Sequence, residues 1–175
     1  MKGIPLMPFK RAEAENALGL IESGNLLALA RYLRTFSRGP ITLTTGASLN
    51  NRDYLNRTIV HNAAGGGTFT LPPATGGGDK VRIVVKTTVT SSLIVAVANS
   101  SDTMQGTAVI SQDAADTAVM FEAGATADTI TLNGTTTGGL FGAEIECEDI
   151  ATNLWHVRVL SAATGVEATP FSAAV

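Results

Sequence analysis

The stretch Thr68–Val85, TFTLPPATGGGDKVRIVV, decides the fold. It opens by alternating Thr with Phe69 and Leu71, the period-two pattern of a strand with one buried face. Pro72 and Pro73 cannot donate to a ladder and stop it. Glycines at 76–78 follow, and a Val- and Ile-rich run from Val81 starts a second strand. Glycines ahead of Lys80 also suggest a loop whose N–H groups cradle a phosphate. Such a loop opens a helix and carries the order Gly-Lys-Ser/Thr. Here it opens onto VRIVVKTTV, and the second cluster, AAGGGTF at Ala63–Phe69, runs into a strand in the same way. Both clusters read as turns between strands.

Working outward, the same pattern of short Thr-, Val- and Ile-rich runs divided by Gly, Asn, Asp or Pro fills the chain after Pro40. Strands are expected at Ile41–Thr44, Arg57–His61, Thr68–Leu71, Val81–Thr88, Ser92–Val97, Gly106–Ser111, Thr117–Glu122, Asp128–Leu132, Gly142–Asp149 and Leu154–Leu160. Close spacing without intervening helices predicts a mainly β fold, an antiparallel β-sandwich or barrel of jelly-roll-like form, over residues 41–175. Before it, residues 1–10 contain two prolines and read as an extended arm. Residues 11–40 form a helical segment. Ala14, Leu18, Ile21, Leu26, Leu29, Leu33 and Phe36 recur at three- and four-residue steps apart from one gap. In that gap Gly24 weakens a helix, and Asn25 is placed to cap a second one.

Composition narrows the function. A 45% hydrophobic content with a net charge of −3 excludes a disordered chain. Cys147 is the only cysteine, which excludes an intrachain disulfide and a thiolate-rich metal site, and it reads as a small buried strand residue. No apolar run is long enough for a membrane helix. The opening MKGIPLMPFK lacks the apolar centre of a signal peptide, so synthesis in the cytoplasm is expected. Charge is uneven: residues 1–57 carry a net +4 and the remainder a net −7. The two ends therefore suit different partners.

Candidate chemistry is sparse. Glu144, Glu146 and Glu148 alternate along one strand face, which fits either a solvent face or a site for a hard cation. His61 and His156 are the only histidines, and no Gly-x-Ser-x-Gly elbow accompanies them, so no enzyme, cofactor or catalytic residue is expected. Arg31, Arg34 and Arg38 share one helical face. They read as a solvated face that favours the helix dipole or as a basic face docking on an acidic protein. A helix-turn-helix lacks its third helix here, which argues against nucleic acid as a partner.

Three passages carry a resemblance: Thr68–Val85, Thr131–Val159 (TLNGTTTGGLFGAEIECEDIATNLWHVRV) and Thr164–Val175 (TGVEATPFSAAV). A strand closed by Leu71-Pro72, a Gly-rich turn and a Val-rich strand are followed by Gly142, Ile145 and Ile150 leading to Trp155-x-Val157. Over residues 57–175 the chain resembles virion proteins of tailed bacteriophages, most of all the head decoration (cement) proteins, with similar stretches in phage head and tail fibre domains. The resemblance implies a homotrimer on the capsid exterior, bound to the major capsid protein and stabilising the shell. The basic arm and helix would make capsid or subunit contacts through Lys2, Pro5, Phe9, Lys10, Arg11, Arg31, Arg34 and Arg38. The alternative is a fibre component with a receptor- or glycan-binding β domain, in which Tyr54 and Trp155 would be exposed stacking residues rather than core.

Overall fold

The structure, a computed structural model, describes residues 39–50, 53–112 and 116–175, together with Gly19, Ile21, Glu22, Gly24, Asn25 and Ala28. A compact unit begins at Pro40 and runs to Val175. Its strands are β1 (Ile41–Leu43), β2 (Ala47–Ser48), β3 (Arg57–His61), β4 (Gly66–Thr70), β5 (Lys80–Val85) and β6 (Ser92–Ala96). They continue with β7 (Thr103–Gln112), β8 (Thr117–Glu122), β9 (Thr129–Leu132), β10 (Glu144–Ala151), β11 (Leu154–Ala163) and β12 (Phe171–Ser172). Every strand read from the sequence is present, with ends shifted by a few residues. Only β2 and β12, two residues each, carry no period to read.

The strands form a seven-stranded sheet, β1-β3-β5-β10-β11-β7-β8, and a five-stranded sheet, β12-β9-β6-β4-β2. Both are mixed, which corrects the antiparallel expectation. β1 with β3, β3 with β5, β2 with β4, β4 with β6 and β7 with β11 all run parallel. Such pairs are foreign to a jelly roll, whose strands are joined as antiparallel Greek keys. Parallel neighbours need a crossover that returns the chain to the same end of the sheet. Here each crossover contains a strand of the other sheet, so the chain from β1 to β6 alternates between sheets like a coil. Side-chain alternation is identical for a hairpin and a crossover, and for that reason strand positions were legible where strand partners were not. Antiparallel pairing is confined to the other contacts, among them β7 with β8 and β10 with β11.

The inner faces of both sheets share one core. Phe69, Leu93, Val95, Ile130 and Leu132 come from the smaller sheet, and Ile59, Ile83, Met104, Ile145, Trp155 and Val157 from the larger. Each large apolar side chain taken from water contributes roughly 1.5–3 kcal/mol. Trp155 is fully buried and Tyr54 packs half-buried against the core, so neither is an exposed stacking platform. Cys147 is buried in the same core, and burial, with a smaller effect of Glu146, pushes its thiol up to about 12. It is an inert core residue.

The second glycine cluster is more than a turn. Gly66 and Gly67 belong to β4 itself. A side chain at Gly66, which has φ +75°, would run into the Ser92 backbone of β6, and one at Gly46 into the Thr68 backbone. The absent side chains let successive turns of the coil lie against one another.

Most of the expected arm and helical segment lies outside the described residues. Within it, Gly19, Ile21, Glu22 and Ala28 are helical, while Gly24 lies in a turn at φ +68°. The Ala28 N–H donates to Asn25 Oδ1 at 3.0 Å, the bond an N-cap residue makes to the third helical position.

Candidate functional site: clamped loops and an open sheet face

The Gly76–Gly78 loop does bind an anion, and the anion belongs to the chain. The N–H groups of Thr75, Gly76 and Gly77 donate to the Asp149 carboxylate at 3.0, 2.7 and 3.0 Å, and the Thr75 hydroxyl joins them at 3.0 Å. Successive N–H groups converging in this way form an anion-binding nest. Burial of Asp149 opposes its ionisation, but these donors outweigh it and hold the carboxyl below its ordinary value. The sequence carried a signal for this pairing. Alternation along β10 puts Asp149 on the inward face with Ile145 and Cys147, and a carboxylate in an apolar register needs a buried partner.

Two more buried aspartates hold segments at the same end of the sheets. Asp102 accepts from Ala74 N–H at 2.9 Å and from the Asn99 amide at 3.0 Å. Asp128 accepts from the N–H of Ala174 at 2.7 Å, the Thr129 hydroxyl at 2.7 Å and the N–H of Val175 at 3.3 Å. Burial of Asp128 is likewise outweighed by these donors, and its carboxyl is held below the ordinary value. At the opposite end Asn133 organises TLNGTTTGG: its Oδ1 accepts from the N–H groups of Thr135, Thr136 and Thr137 at 2.9–3.1 Å. These loops are thus each built around one polar side chain.

The outer face of the seven-stranded sheet is ordered in rows. Between β5 and β10, Arg82 reaches diagonally to fork onto Glu144 at 2.5 and 2.6 Å, and Lys80 meets Glu148 directly opposite at 3.0 Å. Glu146 lies between Arg82 at 3.9 Å and Arg158 at 3.7 Å. The Arg82 hydrogen bond, helped by its charge, lowers the Glu144 carboxyl. Of the two readings of this glutamate triplet, the geometry supports a solvent-facing ladder matched by cations. Among the described residues no group of His, Cys, Asp and Glu is placed to hold a metal ion. The neighbouring row is apolar on either side of Glu144. Val60, Val84, Glu144, Leu160, Val109 and Met120 stand side by side across β3, β5, β10, β11, β7 and β8. Leu160 and Met120 are 64% and 63% exposed. Phe141 and Val166 are also exposed, in the loops at the end of the sheet where β10 begins and β11 ends.

His61 is fully buried on the inward side of β3, edge-on to the Phe69 ring at 5.7 Å, and neither ring nitrogen has a hydrogen-bond partner. Burial pushes its imidazole below the ordinary 6.5. The unfolded chain therefore binds a proton at His61 before the folded chain does. Stability is full above pH 6.5 and falls as pH drops below it, until the folded imidazole also titrates. His61→Leu is expected to flatten the decline in urea midpoint between pH 7 and pH 5. Parallel curves for the two proteins would show that His61 does not set this slope.

The site residues read from the sequence, Lys2, Pro5, Phe9, Lys10, Arg11, Arg31, Arg34 and Arg38, lie outside the described residues. The exposed row on the body was missed because outward apolar residues in a strand look like any half-buried position. Among the described residues no helix is long and apolar enough to cross a membrane. Comparison with protein-family models, curated proteins and solved structures finds no match for this chain.

Proposed function

We propose that the chain is a structural component of a phage virion, a head decoration or cement protein. In this reading it binds the outer surface of the capsid as a homotrimer, contacts the major capsid protein and stabilises the shell without catalysis. The resemblance of residues 57–175 motivates the reading. The observation that supports it best is the outward apolar row of half-buried Val84 and Val109 with exposed Leu160 and Met120, on an ion-paired sheet face. An apolar strip of this kind suits contact with another protein surface. Many such contacts of modest area act together on a shell, and binding that occurs only on the assembled shell stabilises it by mass action. The basic segment before Pro40 would grip the shell or a neighbouring subunit.

The test mixes purified protein with expanded heads. Bound copies, a trimeric free protein and a raised melting temperature of the heads are expected. Deletion of residues 1–38 is expected to abolish head binding or trimerisation and to leave a folded β body. A deletion variant that trimerises and binds normally removes the role given to that segment. The fibre reading keeps one observation in its favour, the coil-like alternation of β1–β6 between two sheets. Imaging of virions separates the two: copies spread over the head support decoration, and copies confined to the tail or to protruding fibres support a fibre component.

A further inference from the structure

Two independent features meet at β8. The first is its edge. Of the four strands that end the two sheets, β1 has three residues and β2 and β12 have two each. Short edges of this kind are how natural sheets avoid pairing with other chains. β8 has six residues, TAVMFE, with no Pro, Lys or Arg, and all but Phe121 are exposed. Its outer backbone edge has no strand beyond it among the described residues, and Met120 ends the apolar row of the sheet's outer face.

The second feature is charge. From Thr58 onward, Asp102, Asp128 and Asp149 are held by hydrogen-bond donors of the segments they clamp, and Glu144, Glu146 and Glu148 face Lys80, Arg82 and Arg158. Asp79 accepts from the Asn56 amide. The remaining described carboxylates, Asp116, Glu122 and Glu167, all flank β8. Asp116 precedes it, Glu122 ends it, and Glu167 accepts from the Thr117 hydroxyl at 2.7 Å. None has a basic partner among the described residues, and the sequence contains no Lys or Arg between Lys86 and Arg158.

We propose that β8 is a docking edge for an extended segment of a partner protein, apolar in its middle and carrying Lys or Arg at its ends, which adds as an eighth strand to the larger sheet. Backbone hydrogen bonds supply the pairing, Val119 and Met120 meet the apolar middle, and the acids at the two ends of β8 receive the basic ends. A second copy of β8 fits poorly, since antiparallel pairing of two copies would bring Glu122 of one towards Thr117 and Glu167 of the other. Nothing in this depends on the shell reading.

The test uses the full chain and a labelled synthetic peptide of alternating Val and Thr with Lys at both ends, beside a control peptide with Glu at both ends. The Lys-ended peptide is expected to bind about tenfold or more tightly than the control, to weaken as salt is raised, and to slow amide exchange at residues 117–122. Met120→Lys, at a 63% exposed position, is expected to lower its affinity by about tenfold. Glu122→Lys serves as a second variant, and circular dichroism verifies the fold of each. Absent binding, equal binding of the two peptides, or protection confined to other strands would overturn the proposal. So would self-association of the chain that Met120→Lys abolishes, because the edge would then belong to a second copy.

Discussion

Asp149→Ala is expected to lower the stability of the β body by roughly 1–3 kcal/mol, because it leaves a converging set of part-buried donors without their acceptor. Thr75, Gly76 and Gly77 would keep three N–H groups pointed at an empty centre. In a domain of this size each kcal/mol moves the melting temperature by roughly 2–4 °C, so a fall of about 5 °C is the scale to look for. Asp149→Asn restores the shape but turns a side-chain N–H2 towards N–H donors and removes the charge, so it should recover only part of the loss. The pH dependence has a definite sign. The folded carboxyl titrates below its ordinary 3.8. Its contribution is therefore complete above that value and is lost as pH falls through the lower, folded one. Urea unfolding at pH 7 and pH 3 should show the gap between wild type and Asp149→Ala narrowing in acid. Acetate or sulfate should raise the melting temperature of the variant more than that of the wild type, since the emptied nest is a site for a small anion. A gap below about 1 kcal/mol at neutral pH, or one that does not change with acid, would mean that the loop holds its shape without the carboxylate.

That nest also marks what the sequence could and could not reveal. Alternation in TFTL and VRIVV located β4 and β5, and the loop between them was recognised as a turn, because these are properties of neighbouring residues. What fills the turn comes from β10, more than seventy residues later, and no local pattern names a distant partner. The same holds for pairing. Hairpins and crossovers share one side-chain period, so the sheets turned out mixed although the strands themselves were legible. Glu144, Glu146 and Glu148 could be assigned to one face, but the Lys80, Arg82 and Arg158 that neutralise them appear only once β5 and β11 are known to flank β10. The docking edge was equally hidden, since an edge strand and a central one read alike until the order of the sheet is fixed.

The glycines of AAGGGTF give the second large effect, and they separate two roles that the letters alone do not distinguish. Gly65 has no atom near the place where a Cβ would stand, and its φ is not positive. Gly65→Ala should change stability by no more than about 0.5 kcal/mol, or raise it slightly by restricting the unfolded chain. Gly66, the next residue, has φ +75°, and its Cβ would collide with the Ser92 backbone. The left-handed conformation alone costs an L-residue roughly 1–2 kcal/mol. The collision adds more, because neither backbone can retreat: β4 is held by β2 on one side and β6 on the other. Gly66→Ala should therefore lose roughly 3 kcal/mol or more, through the β4–β6 ladder that closes a turn of the coil. Amide exchange would locate the damage, with faster exchange at residues 66–70 and 92–96 and little change in β10 and β11. If both alanine variants melt together with wild type, the close approach of successive turns is not what these glycines provide. If both are equally damaged, the cluster acts as a flexible turn, and the division between Gly65 and Gly66 fails.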